Sequence, residues 1–132
     1  MPSYRFVIAD DHPLFRGALR EALSGLFADA TIVEAGSLDE AAALLDKEND
    51  LDLVLLDVMM PQKSGYEVCA RMRERTDWGD IKIIMLSARG RDAEVSRGLA
   101  AGADVYVIKP FSTRELMAKI KELLDQGGPG SP

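Results

Sequence analysis

Cysteine and histidine are almost missing from this 132-residue chain, which carries one of each, Cys69 and His12. A lone thiol cannot close an internal disulfide, so nothing suggests a secreted, disulfide-stapled scaffold. Cys69, inside Val68-Cys69-Ala70-Arg71-Met72, reads as a small buried hydrophobe. His12 has no cysteine or second histidine to join it on a metal, and reads as a residue at a helix entry. Long apolar runs are missing too. The run after Arg5 ends at Ala9, and later ones are broken by Asp52, Asp57 and Asp104, too short for a signal-peptide core or a transmembrane span. A soluble cytoplasmic domain is expected, with no membrane partner. The Gly98–Gly102 spacing resembles a membrane packing motif but has no apolar span around it, so it carries no weight. Positive charge is in deficit: 16 Lys and Arg against 22 Asp and Glu leave a net charge of −6, which argues against direct nucleic-acid binding. No GxxxxGKS/T loop is present, which removes the common nucleotide hydrolases.

What remains is the composition of an ordinary folded domain, 47% apolar and 29% charged. The length suits one domain that buries roughly two-thirds of its unfolded surface. Short β-rich runs at 5–9, 31–35, 53–56, 81–86 and 105–108 alternate with longer helical patterns. The runs at 53 and 81 are nearly all apolar, as central strands covered on both faces require. Alternating β and α elements predict an α/β fold, an open parallel sheet with helices on both sides. Ser37 with Glu40, and Ser112 with Glu115, fit capping boxes at two helix starts. Leu116, Ile120, Leu123 and Leu124 make an apolar stripe at helical spacing, read as core, with Glu115 and Lys119 paired on the exposed side. Arg71, Arg73 and Arg75 fall on different helix faces and read as solvated or loosely paired charges. Residues 4–124 form the expected domain, and 125–132, ending in GGPGSP, read as a flexible tail or linker.

The polar residues fall at one kind of place. Asp10 and Asp11 follow the first run, Asp57 the third, Ser87 the fourth and Lys109 the fifth. Open parallel sheets bind ligands beyond the carboxyl ends of their strands, so these positions share one rim. Any single Asp after a strand is more often a turn former or helix cap, and Asp11 could cap a helix beginning near Pro13. Taken together the groups have one chemistry. Three gathered carboxylates need a cation, and an oxygen-rich pocket suits Mg²⁺. Lys109 and Ser87 suit phosphoryl oxygens, and Asp57 on the central strand is the candidate nucleophile, forming an acyl phosphate. Lys109-Pro110 is an X-Pro bond open to either isomer.

At these residues the sequence resembles the receiver domains of two-component response regulators. The likeness rests on Ile8-Ala9-Asp10-Asp11-His12, Leu56-Asp57-Val58-Met59-Met60-Pro61 with Gly65, Leu86-Ser87-Ala88, and Val107-Ile108-Lys109-Pro110-Phe111. It covers the chain from Tyr4 to about Leu124. The resemblance implies a flavodoxin-like, doubly wound fold with five parallel strands in the order 2-1-3-4-5. It implies Asp57 as phosphoacceptor, taking its phosphoryl group from a sensor histidine kinase or phosphotransfer protein. Asp11 would ligate Mg²⁺ directly, Asp10 through water or by supporting the ligands around the ion, and the Met59 backbone carbonyl would be a further ligand beside Asp57. Ser87 and Lys109 would hold phosphoryl oxygens, and Tyr106 would follow the Ser87 hydroxyl as a switch, unless it simply lies half exposed on a strand edge. The remodelled surface would be that of the fourth helix, fifth strand and fifth helix (92–101, 104–108 and 112–124), available for homodimerisation or a partner. Met59 and Arg89 stand where such domains tune the lifetime of the acyl phosphate, and an apolar Met59 implies slow self-dephosphorylation. The start, Ala9-Asp10-Asp11-His12-Pro13-Leu14-Phe15-Arg16, is similar to receivers of LuxR-type regulators, and the end, Lys109 to Leu116, to OmpR-type or stand-alone receivers.

Two other classes compete. A Mg²⁺-dependent phosphatase working through an aspartyl phosphate needs a second Asp two residues after the nucleophile, where this chain has Met59. A receiver-shaped docking module that is never phosphorylated would not need the full set of Asp10, Asp11, Asp57, Ser87 and Lys109. The expectation is therefore a signalling domain, not an enzyme in its own right, attached to or partnered with an output such as transcription.

Overall fold

The computed structural model describes residues 4–47, 51–58, 65–74, 81–88 and 90–127. Among these residues, five strands alternate with five helices: β1 (Arg5–Ala9), α1 (Pro13–Leu26), β2 (Thr31–Ala35), α2 (Leu38–Lys47), β3 (Leu53–Asp57), α3 (Gly65–Glu74), β4 (Lys82–Ser87), α4 (Asp92–Ala100), β5 (Val105–Ile108) and α5 (Thr113–Gly127). All neighbouring strands pair in parallel, in the order β2-β1-β3-β4-β5. The expected doubly wound sheet is thus present. Asp57 and Ser87 close their strands instead of following them, a shift of one residue.

The period-two alternation of the strands divides the core into two layers. Val54 and Leu56 of β3, with Ile83 and Met85 of β4, face Ala41 of α2 and Val68, Cys69 and Met72 of α3. Leu53 and Leu55, with Ile84 and Leu86, face Leu19 and Leu23 of α1 and Leu116, Ile120 and Leu124 of α5. Every residue of β3 is buried, which explains why its run shows no polar alternation before Asp57. Each fully buried Leu or Ile contributes about 1.5–3 kcal/mol of transfer free energy. The stripe on α5 is core, as expected, and the helix runs on through Gly127, past the expected boundary at 124.

Local chemistry accounts for several helix ends. Ser37 Oγ accepts from the Glu40 N–H at 3.1 Å, while Glu40 Oε2 accepts from the Gly36 N–H, one residue before the donor that a standard capping box uses. Ser112 Oγ accepts from the Glu115 N–H at a longer 3.4 Å. Asp11 does not cap α1; His12 occupies that position, with Pro13 starting the helix. Helix α4 ends in a Schellman turn, with the Gly102 N–H donating to Leu99 O and the Ala103 N–H to Gly98 O. Gly102 takes φ +117°, the left-handed conformation such a turn demands.

Arg73 corrects a sequence expectation. Far from loosely paired, it donates through Nε to Gly102 O, through Nη1 to Ile81 O and through Nη2 to Asp104 Oδ2, each at 2.7 Å. One guanidinium thus clasps α3 to the start of β4 and to the α4–β5 turn. Arg71 is exposed, and Arg75 lies outside the described residues. Among the described residues no helix is long and apolar enough to cross a membrane.

Candidate functional site

Parallel strands deliver their last residues to one edge, and here that edge is acidic. Asp10 leaves β1, Asp57 ends the adjacent β3, Ser87 ends β4 beside it, and Lys109 follows β5. Asp10, Asp57 and Ser87 are the buried polar residues among those described, each with 1% exposure or less. Burial of that kind costs free energy unless something compensates, which makes the rim the candidate site.

One ligand atom from each of Asp10, Asp11, His12 and Asp57 lies within 4.8 Å of the others. Asp10 Oδ2 and Asp11 Oδ1 are buried and have no hydrogen-bond partner among the described residues. Carboxylate oxygens left in that state, close together, fit a bound divalent cation better than an empty cleft. The cluster can therefore hold a metal ion. His12 is a correction in part: it does stand at a helix entry, yet its Nδ1 also lies 3.0 Å from Asp11 Oδ1 and 3.2 Å from Asp10 Oδ1. Met59, whose backbone carbonyl was expected as a ligand, lies outside the described residues, as does Arg89.

Lys109 brings an ammonium to the rim. Its Nζ stands 3.4 Å from Asp57 Oδ2 and 3.7 Å from Asp10 Oδ2. The Lys109–Pro110 peptide bond is cis. The Lys109 N–H donates to Ser87 O at 2.7 Å, extending the β4–β5 pairing to the rim. Phe15 lies under the ammonium, 4.7 Å from ring centroid to Nζ, and Phe111 packs edge-on against Phe15. Behind Asp57, Gly65 starts α3 hard against the strand exit; a Cβ there would lie 2.8 Å from Val58 Cα.

Tyr106 is half-buried against the layer under α3 and α4. Its hydroxyl is 3.5 Å from that of Tyr66, which in turn lies 3.4 Å from Glu94 O on α4. Arg97 covers the Tyr66 ring at 4.4 Å. Burial, then the contact with Tyr106, pushes the Tyr66 phenol up to about 12. Burial likewise pushes the Cys69 thiol up to about 11, the behaviour of an inert core thiol.

Sequence reasoning overlooked Tyr66, Gly98 and Arg16. Gly98 is the position in α4 where the helix meets the Tyr106 ring: a Cβ would fall 2.6 Å from Tyr106 Cδ2 and 2.9 Å from Met85 Sδ. The same glycine spacing that means nothing for a membrane thus serves packing, and a glycine in the interior of a predicted helix was the available signal.

An open parallel sheet with a metal-capable acidic cleft at its carboxyl edge defines a doubly wound α/β domain with a ligand site at the rim. The family model described as the response regulator receiver domain matches residues 6–121, and the chain belongs to that family. It is 52% identical over 91 residues, 69% of this chain and 40% of the relative, to the phosphate regulon transcriptional regulatory protein PhoB of Rhizobium meliloti. It is 40% identical over 125 residues to PhoB of Pseudomonas aeruginosa, covering 94% of this chain and 53% of that one. The chain spans about half the length of such curated relatives. Among solved structures, the signal receiver domain of a DNA-binding response regulator from Colwellia psychrerythraea superposes with a TM-score of 0.86 at 31% identity, covering 94% of this chain and all of that one. The chain is a receiver domain of two-component signalling, and its relatives are transcriptional regulators.

Proposed function

We propose that this receiver is a phosphorylation switch in which Asp57 is the phosphoacceptor. A carboxylate oxygen of Asp57 attacks the phosphorus of a phosphohistidine on a sensor histidine kinase or phosphotransfer protein. The P–N bond breaks, the imidazole leaves, and Asp57 carries an acyl phosphate. Lys109, 3.4 Å from Asp57, would pair with a phosphoryl oxygen once the transfer adds charge there, and Ser87 would donate to another. Asp10, Asp11 and Asp57, with the Met59 carbonyl, would hold Mg²⁺, which when bound offsets negative charge on both carboxylate and phosphoryl group. The observation that carries this reading is the pair of buried oxygens Asp10 Oδ2 and Asp11 Oδ1, neither of which accepts a hydrogen bond among the described residues, beside a buried Asp57.

Phosphorylation would draw Ser87 and then Tyr106 to new partners, shifting the face formed by α4, β5 and α5. That face exposes Leu99 and Ile108, which supports homodimerisation as its output. Similarity to PhoB over 125 residues takes in the LuxR-like start as well as the OmpR-like end, and favours a transcriptional output of the PhoB kind. The test is intact mass after incubation with Mg²⁺ and a small-molecule phosphodonor, beside Asp57→Asn, with sizing of both samples. One added phosphoryl group on the wild type and none on the variant is the expected result. No addition to either would leave a docking module.

A further inference from the structure

Asp10 reaches the rim already oriented, because its residue is held at three points. Its N–H donates to Ala35 O at 3.0 Å, and its Oδ1 accepts from the His12 N–H at 2.8 Å. The third hold comes from a side chain: Arg16 Nη1, on α1, donates to the Asp10 backbone carbonyl at 2.8 Å. Arg16 is itself braced. Its Nε donates to Glu34 Oε1 at 2.8 Å, and Arg20 Nη1 grips Glu34 Oε2 from the same helix at 2.7 Å. The hydrogen bond from Arg16, ahead of the contribution from Arg20, keeps the Glu34 carboxyl below the usual range and therefore ionised. Space is reserved for the guanidinium as well: at Gly36 a Cβ would come within 3.0 Å of Arg16 Nη1. With backbone and Oδ1 both tied, the oxygen that can turn to a ligand is the buried Oδ2, which accepts no hydrogen bond among the described residues and lies 3.7 Å from Lys109 Nζ.

Resting on the phosphoswitch reading, we propose that Arg16, braced by Glu34, is a positioning residue of the metal site. It fixes the backbone at Asp10 so that Oδ2 stands in ligating orientation before an ion arrives. Neighbours that orient ligands in this way commonly change metal affinity ten- to a hundredfold. The proposal can be separated from simple electrostatics, because a cation beside a cation site opposes binding. Removing the Arg16 charge would tighten Mg²⁺ binding if charge were its only contribution, and weaken it if orientation is.

The experiment is calorimetric titration of the full chain with Mg²⁺, with thermal melts of each sample. Arg16→Met is expected to bind about tenfold more weakly despite losing a positive charge. Arg16→Lys, which keeps the charge but cannot span Asp10 O and Glu34 with one ammonium, is expected to weaken binding by a smaller factor. Arg20→Met, which leaves the Arg16–Asp10 bond in place, should bind as the wild type does. Wild-type or tighter binding in Arg16→Met overturns the proposal, and so does equal weakening in Arg20→Met. If Arg16→Met does not fold, Arg16→Lys decides alone: weakened binding supports the role and wild-type binding overturns it. A wild type that fails to bind Mg²⁺ would bring down the phosphoswitch reading and this inference together. Unchanged variants beside a Mg²⁺-binding wild type would remove only the inference.

Discussion

Lys109 Nζ lies 3.4 Å from Asp57 Oδ2 and 3.7 Å from Asp10 Oδ2, so one ammonium is shared by two buried carboxylates that different strands deliver. Replacing it separates two effects that usually move together. Lys109→Gln leaves the acidic cluster with less compensation and should cost about 1–2 kcal/mol of stability without metal, between exposed-pair and buried-pair losses because the lysine is partly exposed. Mg²⁺ should bind the variant more tightly, since a competing cation is gone. Phosphorylation by a small donor should nevertheless slow about a hundredfold, because the charge on the phosphoryl oxygens loses its partner. Calorimetry and intact-mass time courses check the two signs, and weaker Mg²⁺ binding would contradict the shared-ammonium account.

Gly98→Ala should destabilise the domain although alanine is the better helix former. The propensity gain is about 1 kcal/mol, but the new Cβ would fall 2.6 Å from the Tyr106 ring and 2.9 Å from Met85 Sδ. Overpacking of this kind costs about 1–3 kcal/mol, and β4 and β5 beneath α4 leave little room to yield. Urea melts measure the net loss. Because Tyr106 is the residue displaced, the variant should also change its size distribution with a phosphodonor.

The sheet and the rim were legible because both depend on periodicities that the sequence displays. Apolar runs of four to six residues give strands, and the residue after each run must stand at the carboxyl edge; Asp10, Asp57, Ser87 and Lys109 follow from that rule alone. What joins elements across the fold was not legible. Arg73 meets Gly102 and Asp104, which lie 29 and 31 residues further along, and no local pattern distinguishes it from the exposed Arg71 two positions away. Arg16 and Glu34 likewise meet only once β2 is laid beside β1. The isomer of Lys109–Pro110 was undetermined for the same reason, since tertiary context selects it.

Arg73→Met removes three hydrogen bonds of 2.7 Å and strands the carbonyls of Ile81 and Gly102. The clasp is partly exposed, so water recovers some of the loss, and about 2–3 kcal/mol is expected. Asp104→Asn should cost less, because an amide oxygen can still accept from the Ile83 N–H that Asp104 now holds at 2.8 Å. The two losses should be strongly non-additive in urea melts, since one ion pair is counted in both. Simple addition would mean that Arg73 acts through its backbone contacts alone.

Tyr66 offers a pH dependence of known sign. Its folded-state value of about 12 lies above the ordinary phenol value of 10, so the folded chain holds this proton more tightly than the unfolded chain does. The contribution is fully present below pH 10 and is lost as pH rises toward 12. Wild-type stability should therefore fall more steeply between those values than that of Tyr66→Phe, which has no proton to lose. Parallel alkaline curves for the two proteins would contradict the assignment, as would a Tyr66 phenolate absorbance appearing near pH 10.

With Asp57 as the proposed phosphoacceptor, the residue two positions on, Met59, leads to a prediction about how long the phosphate lasts. Loss of the acyl phosphate needs a water molecule aligned on phosphorus as the bond to the Asp57 oxygen breaks, releasing inorganic phosphate. A side chain that could accept or donate a hydrogen bond two residues beyond Asp57 would help align that water, and a thioether on an apolar stem supplies very little of this. The phosphorylated wild type should therefore decay slowly once the donor is removed. Met59→Asn should shorten its lifetime about tenfold, the modest end of what positioning a reacting water contributes. Intact mass followed over time gives both rates. Rapid loss from the wild type would show that some other group aligns the water, and would remove Met59 as the timer.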